Sequence, residues 1–143
     1  MQTNFYQKAD SDDFLYRHIE SIESTHNLSP HTHNSCELLF VAKGNVSYVV
    51  EGKKYTVTKN TLIISRALQV HAISCNEPVA YERYNILFDE TKYGAKIYKK
   101  IPPDIDVIHL NGDELICDLF YKMDHYCSIW EGEELLSLLQ HLT

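Results

Sequence analysis

The chain has 143 residues, 44% hydrophobic and 23% charged, with 13 Lys and Arg against 20 Asp and Glu for a net charge of −7. That is one globular domain long enough to bury a core, not a disordered chain. The acid excess works against direct contact with a phosphate backbone, and the longest unbroken apolar run, Leu38 to Ala42, is far too short for a membrane-crossing helix.

The N-terminus, MQTNFYQKADSDD, is polar and acidic, with no basic start leading into an apolar stretch. No secretory signal is expected from it, and residues 1–12 are expected as a flexible arm. From Phe14 the chain turns β-rich. Expected strands are Phe14–Ile19, Glu37–Ala42, Val46–Glu51, Thr56–Thr58, Leu62–Ser65, Val70–Ser74 and Val79–Phe88. Their separators, such as Lys43-Gly44-Asn45, Glu51-Gly52-Lys53 and Asn76-Glu77-Pro78, are turn formers. Short strands at this spacing predict a sandwich or barrel. Asp89–Lys100 reads as a short helix ended by Pro102-Pro103, and Asp106–Leu110 as a last strand. Four cysteines, Cys36, Cys75, Cys117 and Cys127, form no paired motif. Without a secretory signal they read as reduced thiols in the cytoplasm.

Two helices close the chain. Asn111 with Glu114 three residues on has the form of a capping box. Leu115, Ile116, Leu119, Phe120, Met123, Cys127 and Trp130 then repeat with helical period. Glu131-Gly132 breaks this helix, and a second carries Leu135, Leu138, Leu139 and Leu142 on one stripe. That helix is still running at Thr143, so the sequence is expected to continue beyond it.

The chemistry concentrates in His31-Thr32-His33-Asn34-Ser35-Cys36-Glu37, with Gly44 and His71 further on. On a strand, residues i and i+2 share a face. Glu37 cannot join the two histidines on a straight strand, since six residues span roughly 20 Å. The chain must therefore turn at Asn34-Ser35, so that Glu37 returns on a neighbouring strand and His71 arrives from a third. Three imidazoles and a carboxylate inside a barrel suit a divalent transition metal (Zn, Ni, Mn or Fe). They equally suit a metal-free polar pocket in which the groups hydrogen-bond to one another. Tyr84, on a strand beside Arg83, is a further candidate to touch a small ligand, and Arg83 a candidate partner for an anionic one. His18, His26, His109, His125 and His141 stand singly and read as surface or structural residues.

His31-x-His33-x3-Glu37-x6-Gly44 resembles the first cupin motif, with Thr25 at the place of its leading glycine. Asn60 to His71 resembles the second. There Asn60 replaces the glycine, Ser65-Arg66-Ala67 the proline-glycine turn, and Cys75 the closing asparagine, while His71 is kept. The stretch HTHNSCELLFVAKGNVSYVVEGKKYTVTKNTLIIS with QVHAI and YERYNILFDE is similar to the N-terminal effector-binding domain of AraC-family transcription regulators, over about residues 13–90.

The resemblance implies a mainly β chain, a cupin-type double-stranded β-helix or jelly-roll barrel over residues 13–110. A helical hairpin over residues 111–143 follows. It implies a small-molecule effector held by His31, His33, Glu37, His71 and Tyr84, with the first four as metal ligands where a metal is used. It implies a homodimer through Leu135, Leu138, Leu139 and Leu142, and DNA contact through a C-terminal domain not in this chain. On this view the chain is a cytoplasmic sensor and not an enzyme. The alternative is a stand-alone metal-dependent cupin enzyme, an oxygenase or isomerase.

Overall fold

The fold follows from short runs of β-branched and aromatic residues, which prefer a pleated, half-buried surface. It is described from a computed structural model over residues 3–11, 14–24, 27–91, 101–111 and 114–142. These residues form strands β1 (Thr3–Ser11), β2 (Phe14–Ser24), β3 (Asn27–His31), β4 (Ser35–Lys43), β5 (Val46–Val50), β6 (Lys53–Val57), β7 (Thr61–Ser65), β8 (His71–Cys75), β9 (Val79–Asp89) and β10 (Val107–His109). Helices α1 (Leu115–Ile129) and α2 (Gly132–Leu142) follow. A six-stranded sheet has the order β1-β2-β9-β4-β7-β10, and a four-stranded sheet the order β3-β8-β5-β6. All neighbours are antiparallel. The chain is mainly β, two antiparallel sheets followed by two C-terminal helices.

The larger sheet is buried on both faces. Along β4 and β9, Cys36, Phe40, Tyr84, Ile86 and Phe88 join Phe120, Met123 and Leu139 in a core beneath the helices. The alternate residues Leu39, Val41 and Tyr81 face the other way and join Val46, Tyr48, Val50 and Ile73 between the sheets. All five residues of β7 are buried, which is why Thr61–Ser65 shows no polar alternation. The four cysteines make no disulfide.

Local chemistry sets the turns. Val50 pairs with Lys53, leaving Glu51-Gly52 as a two-residue loop with both φ angles positive, 46° and 81°. That is the primed turn whose twist matches a hairpin. Asn60, in the place of the usual glycine, also has positive φ, 58°, which asparagine tolerates better than most residues. At Gly44 φ is +140°, and a Cβ there would stand 2.8 Å from Cδ2 of Tyr81. Only glycine fits that approach.

Three expectations change. Residues 3–11, expected as an arm, form β1 and pair with β2. Asn27–His31, not anticipated as a strand, forms β3 at the edge of the smaller sheet, where Pro30 is tolerated because an edge leaves some donors unpaired. α1 starts at Leu115, with Glu114 itself as the extended cap. Only the returning half of the capping box forms, with the Asn111 backbone N–H donating to Glu114 at 3.3 Å. The helix expected over Asp89–Lys100 falls largely outside the described residues.

One polar cluster lies in the seam between sheet and helices. His18 on β2 is 6% exposed. Its Nδ1 lies 2.9 Å from Asp124 of α1 and its Nε2 2.9 Å from Glu82 of β9. Tyr16 donates to the same Asp124 oxygen at 3.0 Å. Tyr84 stacks on the imidazole at 3.9 Å, and Lys43 reaches Glu82 at 3.5 Å. Burial opposes a charge on His18, but the bonds to Asp124 and Glu82 outweigh it and raise its pKa above the usual 6.5. A raised folded pKa stabilises the fold fully below the unfolded value and loses that contribution as pH climbs through the folded one. The stability gap between the natural chain and His18→Gln should therefore be widest, about 1–3 kcal/mol, at about pH 6 and narrow above about pH 8. Urea melts at the two pH values measure it, and a gap that stays constant contradicts this role.

Candidate functional site

The two sheets enclose a cavity of about 180 Å³ at the open end of the barrel. Its imidazoles come from three chain segments. His31 ends β3 and pairs directly with His71 on β8. A register shift between Leu28 and His31 aims the end of β3, as bulges do. His33 sits on the crossing from the smaller sheet to the larger, before β4 begins at Ser35. The chain thus turns where the Glu37 spacing required it.

Ring centroids lie 4.4 Å apart for His31 and His71, 4.9 Å for His33 and His71, and 5.7 Å for His31 and His33. Each ring is oriented alike. Nδ1 of His31 bonds the Ser29 carbonyl at 3.0 Å, that of His33 the Ser35 carbonyl at 2.8 Å, and that of His71 the Gln69 carbonyl at 3.0 Å. A carbonyl only accepts, so every Nδ1 carries a proton and every Nε2 faces the others. Burial lowers the pKa of His71, which keeps it neutral, and its Nε2 is buried without a hydrogen bond.

Glu37 stands beside this group. Its Oε2 lies 3.4 Å from His33 Nε2, and its Oε1 accepts from Asn85 at 2.6 Å. Burial works to raise its pKa, but His33, His71 and Asn85 together hold it below the usual carboxylate range. The bond to Glu37 in turn raises His33 above 6.5. His71 depends on the loop before it, where the proline-glycine turn is absent. Leu68 takes a left-handed φ of 67° and its N–H donates to the His33 carbonyl at 2.9 Å. The Arg66 N–H donates to Gln69 Oε1 at 2.8 Å. Other residues thus close the loop that presents the Gln69 carbonyl to His71.

The donor set fits a divalent transition metal. The ligand atoms of His31, His33 and His71 all lie within 4.8 Å of one another. Imidazoles fixed by backbone carbonyls through Nδ1 are the usual arrangement behind metal-bound histidines. Bonds near 2.1 Å would put such nitrogens about 3–3.5 Å apart, within the 4.8 Å limit of this cluster. Glu37 lies outside the triad of close atoms and is tied to it through His33.

Tyr84 does not join the site. As an even-numbered residue of β9 it faces the helices, where it is 4% exposed among Phe40, Phe120 and Tyr121. The odd-numbered residues Arg83, Asn85 and Leu87 line the cavity, joined by Arg17 of β2. The sequence signal for Arg17 and Asn85 was the period-2 alternation itself, read outward from Tyr16 and Tyr84. The leucine stripe is also corrected. Leu135 and Leu139 are 6% and 0% exposed in the chain's own core and are not available to a second subunit. Leu138 is half-buried, beside Trp130 and Tyr126. The Leu142 side chain lies outside the described residues.

Residues 15–95, more than half of the chain, match the family described as AraC-like ligand binding domain. Among solved structures, the cupin domain of Cnp3 from Schizosaccharomyces pombe aligns with a TM-score of 0.54 at 10% identity, covering 67% of this chain and 74% of that one. An RmlC-like cupin with a double-stranded β-helix fold from Methanocaldococcus jannaschii aligns at 0.53 and 15%, covering 64% and 85%. A cupin superfamily protein from Desulfitobacterium hafniense aligns at 0.51 and 14%, covering 62% and 82%. At these identities the likeness concerns the fold. No curated protein matches the chain.

Asn85 is 2% exposed and its amide holds Glu37. Asn85→Ala should lower stability by about 1–3 kcal/mol, the cost of leaving a buried charged acceptor short of a donor. Urea denaturation measures it, and a neutral variant contradicts the Asn85–Glu37 bond.

Proposed function

The chain belongs to the family of AraC-like ligand-binding domains, and from that premise we propose that it is the sensing module of a DNA-binding transcription regulator. A small-molecule effector enters the barrel cavity, and the response is carried to DNA by a separate domain. The observation that carries this reading is the 180 Å³ cavity itself, a concave space where apolar walls meet a few convergent polar groups. The net charge of −7 supports placing the DNA contact outside these residues. No helix among the described residues is long and apolar enough to cross a membrane, in keeping with a cytoplasmic regulator. The role is binding rather than catalysis.

His31, His33, His71 and Glu37 form the polar floor of the effector site in this reading. Where a divalent metal is resident, His31, His33 and His71 would hold it with Glu37 beside them as the fourth candidate ligand, and it would supply a Lewis-acidic contact to an oxygen of the bound molecule. The triad geometry also favours a second reading, a metal-dependent cupin enzyme. Substrate turnover by the metal-loaded chain would establish the enzyme and displace the sensor.

Subunit pairing is assigned to the helical hairpin. Leu115, Ile129 and Trp130 on α1 are large exposed apolar residues, and Leu138 lies beside Trp130 on α2. Homodimers commonly cover such surface.

Two outcomes test the proposal. Zn(II) titrated against a chelating indicator should bind His33→Ala about tenfold or more weakly than the natural chain, with cooperative melting retained. Equal affinity would detach the imidazoles from the site. Sedimentation equilibrium should give a dimer for the natural chain and a folded monomer for Trp130→Glu with Leu138→Glu. A double variant that still dimerises moves the interface elsewhere.

A further inference from the structure

The walls of the barrel cavity are charged in a way that the chain as a whole is not. Against a net charge of −7, the cavity lining holds two guanidinium groups, Arg17 and Arg83, and one carboxylate, Glu37. The two arginines are diagonal neighbours on adjacent strands, since Arg17 pairs with Asn85 and Arg83 with Ile19. Diagonal pairs are close enough for long side chains to converge on one object.

Neither arginine has an ion-pair partner among the described residues, where no carboxylate lies within ion-pair distance of either guanidinium. The Nε atoms of both are buried and make no hydrogen bond. Glu37, the one acid in the cavity, is already committed to Asn85 and His33. Arg83 rests with its guanidinium carbon 5.4 Å from the Tyr81 ring centroid, and Tyr81 is a neutral partner that leaves the positive charge unpaired. Burial lowers the pKa of Arg17 and the nearby charge of Arg83 lowers it further, with Glu37 offsetting only part of this. Two like charges held together in a partly dry space are costly unless an anion completes them.

Resting on the sensor reading, we infer that the effector is a small carboxylate, its two oxygens held by Arg17 and Arg83. A planar guanidinium matches a carboxylate with two parallel hydrogen bonds, which a neutral hydroxyl or amide cannot equal. The apolar lining limits the rest of the molecule. Leu39, Ile63 and Leu87 on the arginines' own sheet and Ile73 on the facing one line the cavity and require a compact, largely apolar body. A cavity of about 150 Å³ accommodates benzene, so 180 Å³ suits an acid of about that ring's size. The imidazole floor meets the far end of such a ligand.

The test compares acids with their uncharged amides. Benzoate and benzamide, then butyrate and butyramide, are titrated calorimetrically into the natural chain, Arg17→Gln and Arg83→Gln. Each acid should bind about tenfold or more tightly than its amide, and the preference should vanish in both variants. Removing a buried guanidinium that has no ion-pair partner should leave the ligand-free melting temperature nearly unchanged or raised. A variant that fails to fold contradicts that expectation, and the acid–amide ratio in the natural chain still decides the ligand class. Amides that bind as well as acids overturn the carboxylate and leave the sensor reading standing. Neither acid binding at about 10 mM, a level at which even the weakest specific sites fill, also overturns it. Xylose and Zn(II) titrations then separate the two readings. A response to either keeps the sensor, and silence to all removes both.

Discussion

Everything in this protein depends on central strands with no solvent face. Strands β4 and β9 lie in the middle of the larger sheet, with the helices on one side and the barrel interior on the other. Each strand must satisfy two environments with one alternating sequence. In β9, Tyr84, Ile86 and Phe88 build the helix seam while Arg83, Asn85 and Leu87 line the cavity. A one-residue slip would exchange the two sets and put guanidinium groups under the helices. The register is therefore set by chemistry on both faces, and the shift between Val41 and Lys43 falls only where β4 leaves the buried zone.

The same arrangement places the cavity and the helical hairpin one residue apart along the chain. Arg17 points into the barrel, and His18 beside it holds Asp124 of α1. Arg83 lines the cavity, and Glu82 beside it holds the other nitrogen of His18. Binding inside and helix position outside thus share two backbone segments. A proposed subunit interface on the hairpin would be coupled to the cavity through this connection, provided the ligand distinguishes two positions of the hairpin.

Much of this was legible in the sequence, and the misses share one cause. Strand positions and turns came from composition and punctuation, which act locally, so β4, β5, β7 and β9 were readable within a residue or two. The triad was readable because its spacing, with Glu37 out of reach on a straight strand, forced a turn at Asn34-Ser35. Tyr84 was misassigned because a tyrosine on a strand suits either face, and its parity against Arg83 decides the matter only once the cavity side is known. Leu135 and Leu139 look the same whether a helix packs on its own sheet or on a second subunit. His18 looked solitary because its partners are far along the chain, Glu82 by 64 residues and Asp124 by 106. β1 and β3 escaped because polar edge strands take their order from a partner more than from their own residues.

The lining of the cavity sets its cost against its use. A barrel built only for stability would place apolar side chains at Arg17, Arg83, Asn85 and His71, as it does at Leu39 and Ile63 on the same walls. Instead the chain buries His71 Nε2 and the two arginine Nε atoms without hydrogen bonds, groups that each lower stability when left unmatched. It supports them with further hydrogen bonds. The Ser29, Ser35 and Gln69 carbonyls fix the rings, and Asn85 fixes the single acid. Polar groups oriented this carefully and then left unmatched describe a surface complementary to something that is not protein. Its complement has acceptor oxygens at the arginine end, electron-poor character at the imidazole end, and little polarity between.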